Sequence, residues 1–211
     1  MQGFHWCLSE PKKVGLASAV KKHLCDKHNS MLSETDMAAS AVSQAFRQAA
    51  LPVDAGASSA VDFSVDGRSF ERWALKTLIN ICTEDGHRIG RDSNTPNVPA
   101  PSLVRVAFGL RRFPWRAGMY IVGPPRGEFE HATGFTFAPL LHKDDYIEGT
   151  LLKFCGFVFA IVFDDPGQWL RSFNILGGNR AFSPGPIDVS WHPADLKLMR
   201  NERIVTINFQ W

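Results

Sequence analysis

The stretch Ile147-Glu148-Gly149-Thr150-Leu151-Leu152-Lys153-Phe154-Cys155-Gly156-Phe157-Val158-Phe159-Ala160-Ile161-Val162-Phe163 decides the class of fold. Two apolar runs, Ile147 to Phe154 and Phe157 to Phe163, flank a Cys-Gly pair. Val, Ile and Phe suit a pleated, buried surface, and glycine supplies the turn. The segment from Phe154 to Phe163 is the most apolar of the chain, yet too short to cross a bilayer, so it predicts a buried strand. Runs of the same kind recur at Met119 to Val122, Gly134 to Leu141, Ile187 to Trp191 and Ile204 to Phe209. Strand following strand at short spacing predicts an antiparallel sheet from Gly118 onward.

Upstream of Gly118 the periodicity changes. Met37, Ala41, Val42, Ala45 and Phe46 recur at helical spacing and predict a helix from Ser33 to about Ala50. Ser33 reads as its N-cap, Asp36 as the acidic partner three residues on, and Pro52 as its stop. Leu51 to Ala60 is small and flexible in composition and reads as a linker or loop. Val61, Phe63 and Val65 alternate with polar residues and predict a strand ending at Asp66-Gly67. A second helix follows from Ser69 to Thr83, with Phe70, Trp73, Ala74, Thr77, Leu78 and Ile81 on its buried face. Glu71, Arg72, Lys76 and Asn80 of that helix read as a solvated face. Glu84 to Pro101 reads as a long polar loop, and Ser102 as the cap of a short helix reaching Phe108. The class is therefore α+β, with a small module over residues 1–52 and a larger domain with an antiparallel sheet over residues 61–211.

A chain of 211 residues that is 45% hydrophobic supports a true core and excludes disorder. Its net charge of +2 lacks the strong basic bias of many nucleic-acid binders, so any such contact must use a local patch. The first residues lack the basic and apolar regions of a signal peptide, which predicts a cytoplasmic protein with no membrane partner. In a reducing compartment Cys7, Cys25, Cys82 and Cys155 are free or metal-bound. Cys82 and Cys155 lie in apolar segments and read as core residues.

Leu24-Cys25-Asp26-Lys27-His28-Asn29 places a thiol and an imidazole at C-x2-H spacing just before a helix. That spacing supplies half of a tetrahedral zinc site, and Cys7, with His5 or His23, stands as the other half. The run Leu24-Cys25-x2-His28-Asn29-x2-Leu32-Ser33-x2-Asp36 resembles the distal half of the HNH-type treble clef, over about the first fifty residues. The resemblance implies a treble-clef-like module with a structural zinc knuckle held by Cys7, Cys25, His28 and His5. HNH nucleases carry a complete first knuckle and a catalytic histidine on the hairpin between knuckles. Here the first knuckle is reduced to Cys7, and His23 sits too near Cys25 for that role. The resemblance therefore implies binding without cleavage, and no catalytic residue is assigned.

Arg111-Arg112-Phe113-Pro114-Trp115-Arg116 is the densest mixture of arginine and aromatic residues, with Arg105 and Arg126 nearby in sequence. Guanidinium groups bind phosphate and aromatic rings stack on bases, so Arg111, Arg112, Trp115 and Arg116 are the candidate nucleic-acid contacts. A turn anchored to the core by Phe113 and Trp115 accounts for the same residues. Glu130 beside His131 forms an acid–base pair only in a loop, since neighbours on a strand face opposite ways. Asp144-Asp145 and Asp164-Asp165 read as turn formers. No phosphate-binding loop, nucleophile elbow or dinucleotide fingerprint occurs. The leading reading is a non-catalytic or residual HNH-like nucleic-acid-binding protein with structural zinc. The alternative is a protein that binds a small ligand or a partner protein through the sheet and the Glu84 to Pro101 loop.

Overall fold

The computed structural model describes residues 26–51, 60–83, 86–123, 126–128, 135–143, 145–164, 189–200 and 202–211. Its helices are α1 (Asp26–Ser30), α2 (Ser33–Ala50), α3 (Gly67–Cys82) and α4 (Pro101–Ala107). Its strands are β1 (Ala60–Asp66), β2 (Arg88–Ile89), β3 (Gly118–Val122), β4 (Arg126–Glu128), β5 (Phe135–His142), β6 (Tyr146–Phe154), β7 (Phe157–Val162), β8 (Val189–Trp191), β9 (Asp195–Arg200) and β10 (Arg203–Gln210). The α+β class holds. Most of the 1–52 module's first half, and the linker positions 52–59 with Pro52, lie outside the described residues.

The antiparallel pairing expected from Gly118 onward holds for β3 with β7 and β8, β5 with β6, β6 with β7 and β9 with β10, but the strands divide between two sheets and each sheet also holds parallel pairing. A four-stranded sheet runs β1-β10-β9-β4, with β1 parallel to β10 and β4 parallel to β9. A six-stranded sheet runs β2-β6-β7-β3-β8, and β5 joins it through β6. The two apolar runs of Ile147 to Phe163 form strands as expected, and the structure pairs them as a hairpin, β6 against β7, with Phe154 opposite Phe157. Strand β9 escapes the sequence reading although Leu196 and Leu198 alternate inward, both fully buried.

Helix α3 joins the two sheets. Phe70 meets Phe159 of β7 edge-on at 5.8 Å and stacks near Phe209 of β10 at 6.1 Å. The helix starts where β1 ends because the Asp66 carboxylate accepts the Ser69 amide at 3.0 Å, an N-cap that stops the strand and opens the helix. Helix α2 packs on α3 and on β1, β9 and β10 through Ala38, Ala39, Val42, Ala45, Phe46 and Ala49. Its small side chains permit close approach, and these residues belong to one hydrophobic cluster with the cores of both sheets.

Three local expectations change. The N-cap of α2 is Leu32, not Ser33, because the chain arrives already turned: the Met31 amide bonds Lys27 O at 3.2 Å and Leu32 is buried as an anchor. Thr35 then donates its hydroxyl to Leu32 O. Met37 lies outside the buried face and is 64% exposed. The short helix α4 is opened by Pro101 after Ala100, without a side-chain cap from Ser102. No helix among the described residues is long and apolar enough to cross a membrane.

Candidate functional site

The loop expected between Glu84 and Pro101 is folded over residues 86–100, and its folding creates a groove. Ile89 of β2 pairs with Ile147, and Gly90 donates its amide to Ile147 O. Gly90 has φ +87°, and a Cβ there would lie 2.8 Å from Leu103 Cδ1, so only glycine lets the chain turn against α4. Ser93 is buried, and its single hydroxyl proton is shared between Val98 O at 2.6 Å and Thr95 O at 3.0 Å, which folds the following turn back on itself. This geometry projects Arg91 and Asp92 toward α4, where Ser102 Oγ donates to Asp92 Oδ1 at 3.0 Å.

The second wall is the loop after α4. Arg72 Nε donates to Ala107 O at 3.2 Å and its guanidinium packs beneath Gly109, whose φ is +70°. Amides of Leu110 and Arg111 both bond Arg105 O, which sends the chain away from the helix. Phe113 then lies parallel to Phe163, with ring centroids 6.4 Å apart, and anchors the loop to the six-stranded sheet. Between these walls lies a groove of about 450 Å³ lined by Arg91, Arg111, Arg112 and Phe113, with Asp92 and Asp164 also on its walls. Three arginines and two aspartates therefore line one groove, and the Asp92 carboxylate is already engaged by Ser102.

Of the sequence candidates, the fold brings Arg111 and Arg112 into this groove. It leaves Trp115 and Arg116 beside it, on the turn closed by the Ala117 amide to Pro114 O. Trp115 is 75% exposed and meets Trp191 of β8 in a T-shaped contact at 4.8 Å. Arg91 is the contributor that sequence reasoning missed. It is twenty residues from Arg111, and only the pairing of β2 with β6 and the packing of α4 bring the two together. Arg105 lies exposed on α4 outside the groove lining, and the side chain of Arg126 lies outside the described residues.

A second constellation was also missed, and it overturns the reading of Glu71 as part of a solvated face. Glu71 is buried, and its Oε2 accepts the Met119 amide at 2.6 Å and lies 3.0 Å from His192 Nε2. The His192 ring stacks between Trp191 (4.3 Å) and Trp211 (4.1 Å), and each indole N–H donates to a backbone carbonyl, that of Ala117 and that of Pro193 respectively. A buried carboxylate needs such donors, and helical spacing alone does not reveal whether a Glu meets them. Both faces of the imidazole are covered, so the pair serves as a clamp between α3, β3 and the β8–β9 connection. Arg72 and Lys76 are partnered too: Lys76 Nζ lies 2.8 Å from the Asp36 carboxylate of α2.

Behind the groove, burial lifts the Glu148 carboxyl above its ordinary value; His142 pulls it partly back, and Asp164 on the groove wall adds to the rise. Asp145 adopts φ +62° as a turn residue and pairs with His87, 58 residues away in sequence, with Oδ1 and Nδ1 2.7 Å apart.

His5, Cys7, His23 and Cys25 lie outside the described residues, as do Glu130, His131, Asp144 and Asp165. His28 is exposed on α1, and its ring meets Phe108 edge-on at 5.6 Å. Among the described residues no group of three or more His, Cys, Asp or Glu side chains is placed to hold a metal ion. Cys82 and Cys155 are buried in the core, as their apolar segments predicted. No protein-family model matches this chain, and no curated protein or solved structure matches it.

Proposed function

We propose that this is a non-catalytic nucleic-acid-binding protein whose contacts run through Arg91, Arg111 and Arg112, with Trp115 and Arg116 flanking them. The observation that carries this reading is the convergence of three arginines from two distant loops on one groove beside an aromatic ring. Guanidinium groups match phosphate bidentately and stack on flat rings, so this composition suits a phosphate-bearing, base-bearing ligand. The near-neutral chain explains why the positive field must be local.

The test is the salt dependence of binding to DNA and RNA. Wild type is expected to bind at low salt, and removing one arginine–phosphate interaction lowers the slope of log affinity against log salt by about one unit. Arg112→Ala with Arg116→Ala should weaken binding and flatten that slope. Absence of binding at low salt overturns the reading.

The presence of Asp92 and Asp164 in the same groove favours the alternative, a small ligand carrying both charges or a partner protein, as the second reading. Structural zinc at Cys25 and His28, with Cys7 and His5, belongs to the HNH-like part of the proposal. It is checked by metal analysis of protein purified without added zinc: near-stoichiometric zinc, lost in Cys25→Ser, supports it, and metal-free protein removes it. Plasmid nicking with magnesium or manganese would overturn the non-catalytic assignment.

A further inference from the structure

We infer that the nucleic acid taken by this face is single-stranded, with one unpaired base seated on Trp115 and the adjoining nucleotide entering the arginine groove against Phe113. The inference rests on the nucleic-acid reading above and names its substrate class. It starts from Trp115, which is 75% exposed although an indole is among the costliest side chains to leave in water. Trp115 is not a loose side chain. It meets Trp191 at 4.8 Å with the rings 75° apart, a contact that covers at most one of its faces. Trp191 is itself fixed, by its indole N–H on Ala117 O at 2.9 Å and by the His192 ring stacked on it. His192 is fixed in turn by Trp211 and by buried Glu71. The chain of contacts presents an open indole face on a rigid base, which lowers the ordering cost of stacking a ligand ring on it.

The shape of the neighbouring groove and the chemistry of bases choose the single strand. In a duplex each base hides both π-faces against its neighbours, so only an unpaired base offers a face to an indole. A groove of about 450 Å³ has the capacity of a small-molecule site, and it admits one nucleotide rather than a double helix. Arg111 and Arg112 line it immediately before Phe113, and Arg116 follows Trp115, so cationic side chains bracket both rings along the loop. This charge pattern complements a phosphate chain whose bases turn toward the protein.

The experiment measures anisotropy of three labelled probes of about twelve nucleotides at low salt: oligothymidylate, an abasic strand of equal length, and a duplex. The abasic strand keeps every phosphate and removes every stacking face. Wild type is expected to bind oligothymidylate about tenfold more tightly than either other probe. Trp115→Ala should bring oligothymidylate down to the abasic level, while Trp115→Phe retains most of the preference; thermal melts confirm that both variants fold. Equal binding of all three probes, or an unchanged preference in Trp115→Ala, overturns the inference while the nucleic-acid reading stands. If no probe binds wild type, the reading itself fails and the inference falls with it.

Discussion

Glu71 Oε2 accepts the Met119 amide at 2.6 Å across a sequence separation of 48 residues, and the same oxygen faces His192 Nε2 at 3.0 Å. One carboxylate in the second turn of α3 thereby fixes the start of β3 and the residue after β8. His192 sits at φ +42°, a conformation that costs a non-glycine residue energy and that the clamp and the two indoles hold in place. The platform beneath Trp115 depends on this clamp.

Removing the carboxylate should therefore destabilise the fold. Glu71→Ala leaves the fully buried Met119 with an unsatisfied amide, at a cost of about 1–3 kcal/mol. In a domain of this size each kcal/mol lowers Tm by about 2–4 °C. Glu71→Gln keeps an acceptor and should lose less. Thermal melts of both variants check this, and a Glu71→Ala protein as stable as wild type would remove the clamp from the account.

Gly118 tests the same site by crowding. Its φ is +103°, and a Cβ there would lie 2.2 Å from Glu71 Oε2. Gly123 has a similar φ of +107° with no atom within 4 Å of the Cβ position. Gly118→Ala should thus be less stable than Gly123→Ala by more than about 1 kcal/mol, the excess being displacement of the carboxylate. Urea unfolding with matched m-values gives the comparison.

Glu148 sets a pH dependence. Its carboxyl is lifted above the ordinary value of 4.5 by burial first, and by Asp164, against a lowering from His142. The folded state holds this proton more tightly than the unfolded chain. The stabilisation is complete below the ordinary value and is lost as pH rises through the folded one, so ionised Glu148 is a burden at neutral pH. Glu148→Gln should raise Tm at neutral pH by about 1–2 °C, a modest amount because solvent screens a partly exposed group, and the gain should vanish at acid pH. Melts across the acid to neutral range decide it.

Arg91 and Arg105 separate the groove from general charge. Both are exposed, but only Arg91 lines the groove. Arg91→Ala should reduce the salt slope of oligonucleotide binding by about one unit, and Arg105→Ala should leave it unchanged. Equal effects of the two would show that the groove has no special part in binding.

Much of the fold was legible because its signals are local. Asp66-Gly67 marks the change from strand to helix by a cap three residues long, and Cys155-Gly156 marks a turn between two apolar runs. The bounds of α2 follow from its periodicity, and so does most of its face: Val42, Ala45 and Phe46 are buried as expected, whereas Ala38, Ala39 and Ala49 also pack inward and Met37 points out. Leu196 and Leu198 carried an alternation that was overlooked between the polar residues of β9. The candidate site was half legible. Arg111, Arg112 and Trp115 stand out as a run, whereas Arg91 in the polar loop carries no mark that links it to them.

The sequence by itself determined the α+β class, the strands β6 and β7, the helices α2 and α3, and the arginine-aromatic loop, because each rests on side chains a few residues apart. Only the tertiary structure decided the parallel pairing of β1 with β10, the meeting of Arg91 with Arg111, and the burial of Glu71 beneath His192 and Met119. Those depend on which surfaces meet when the two sheets close on α3. An isolated Glu at a helical position reads the same whether its partner is water or a backbone amide 48 residues away.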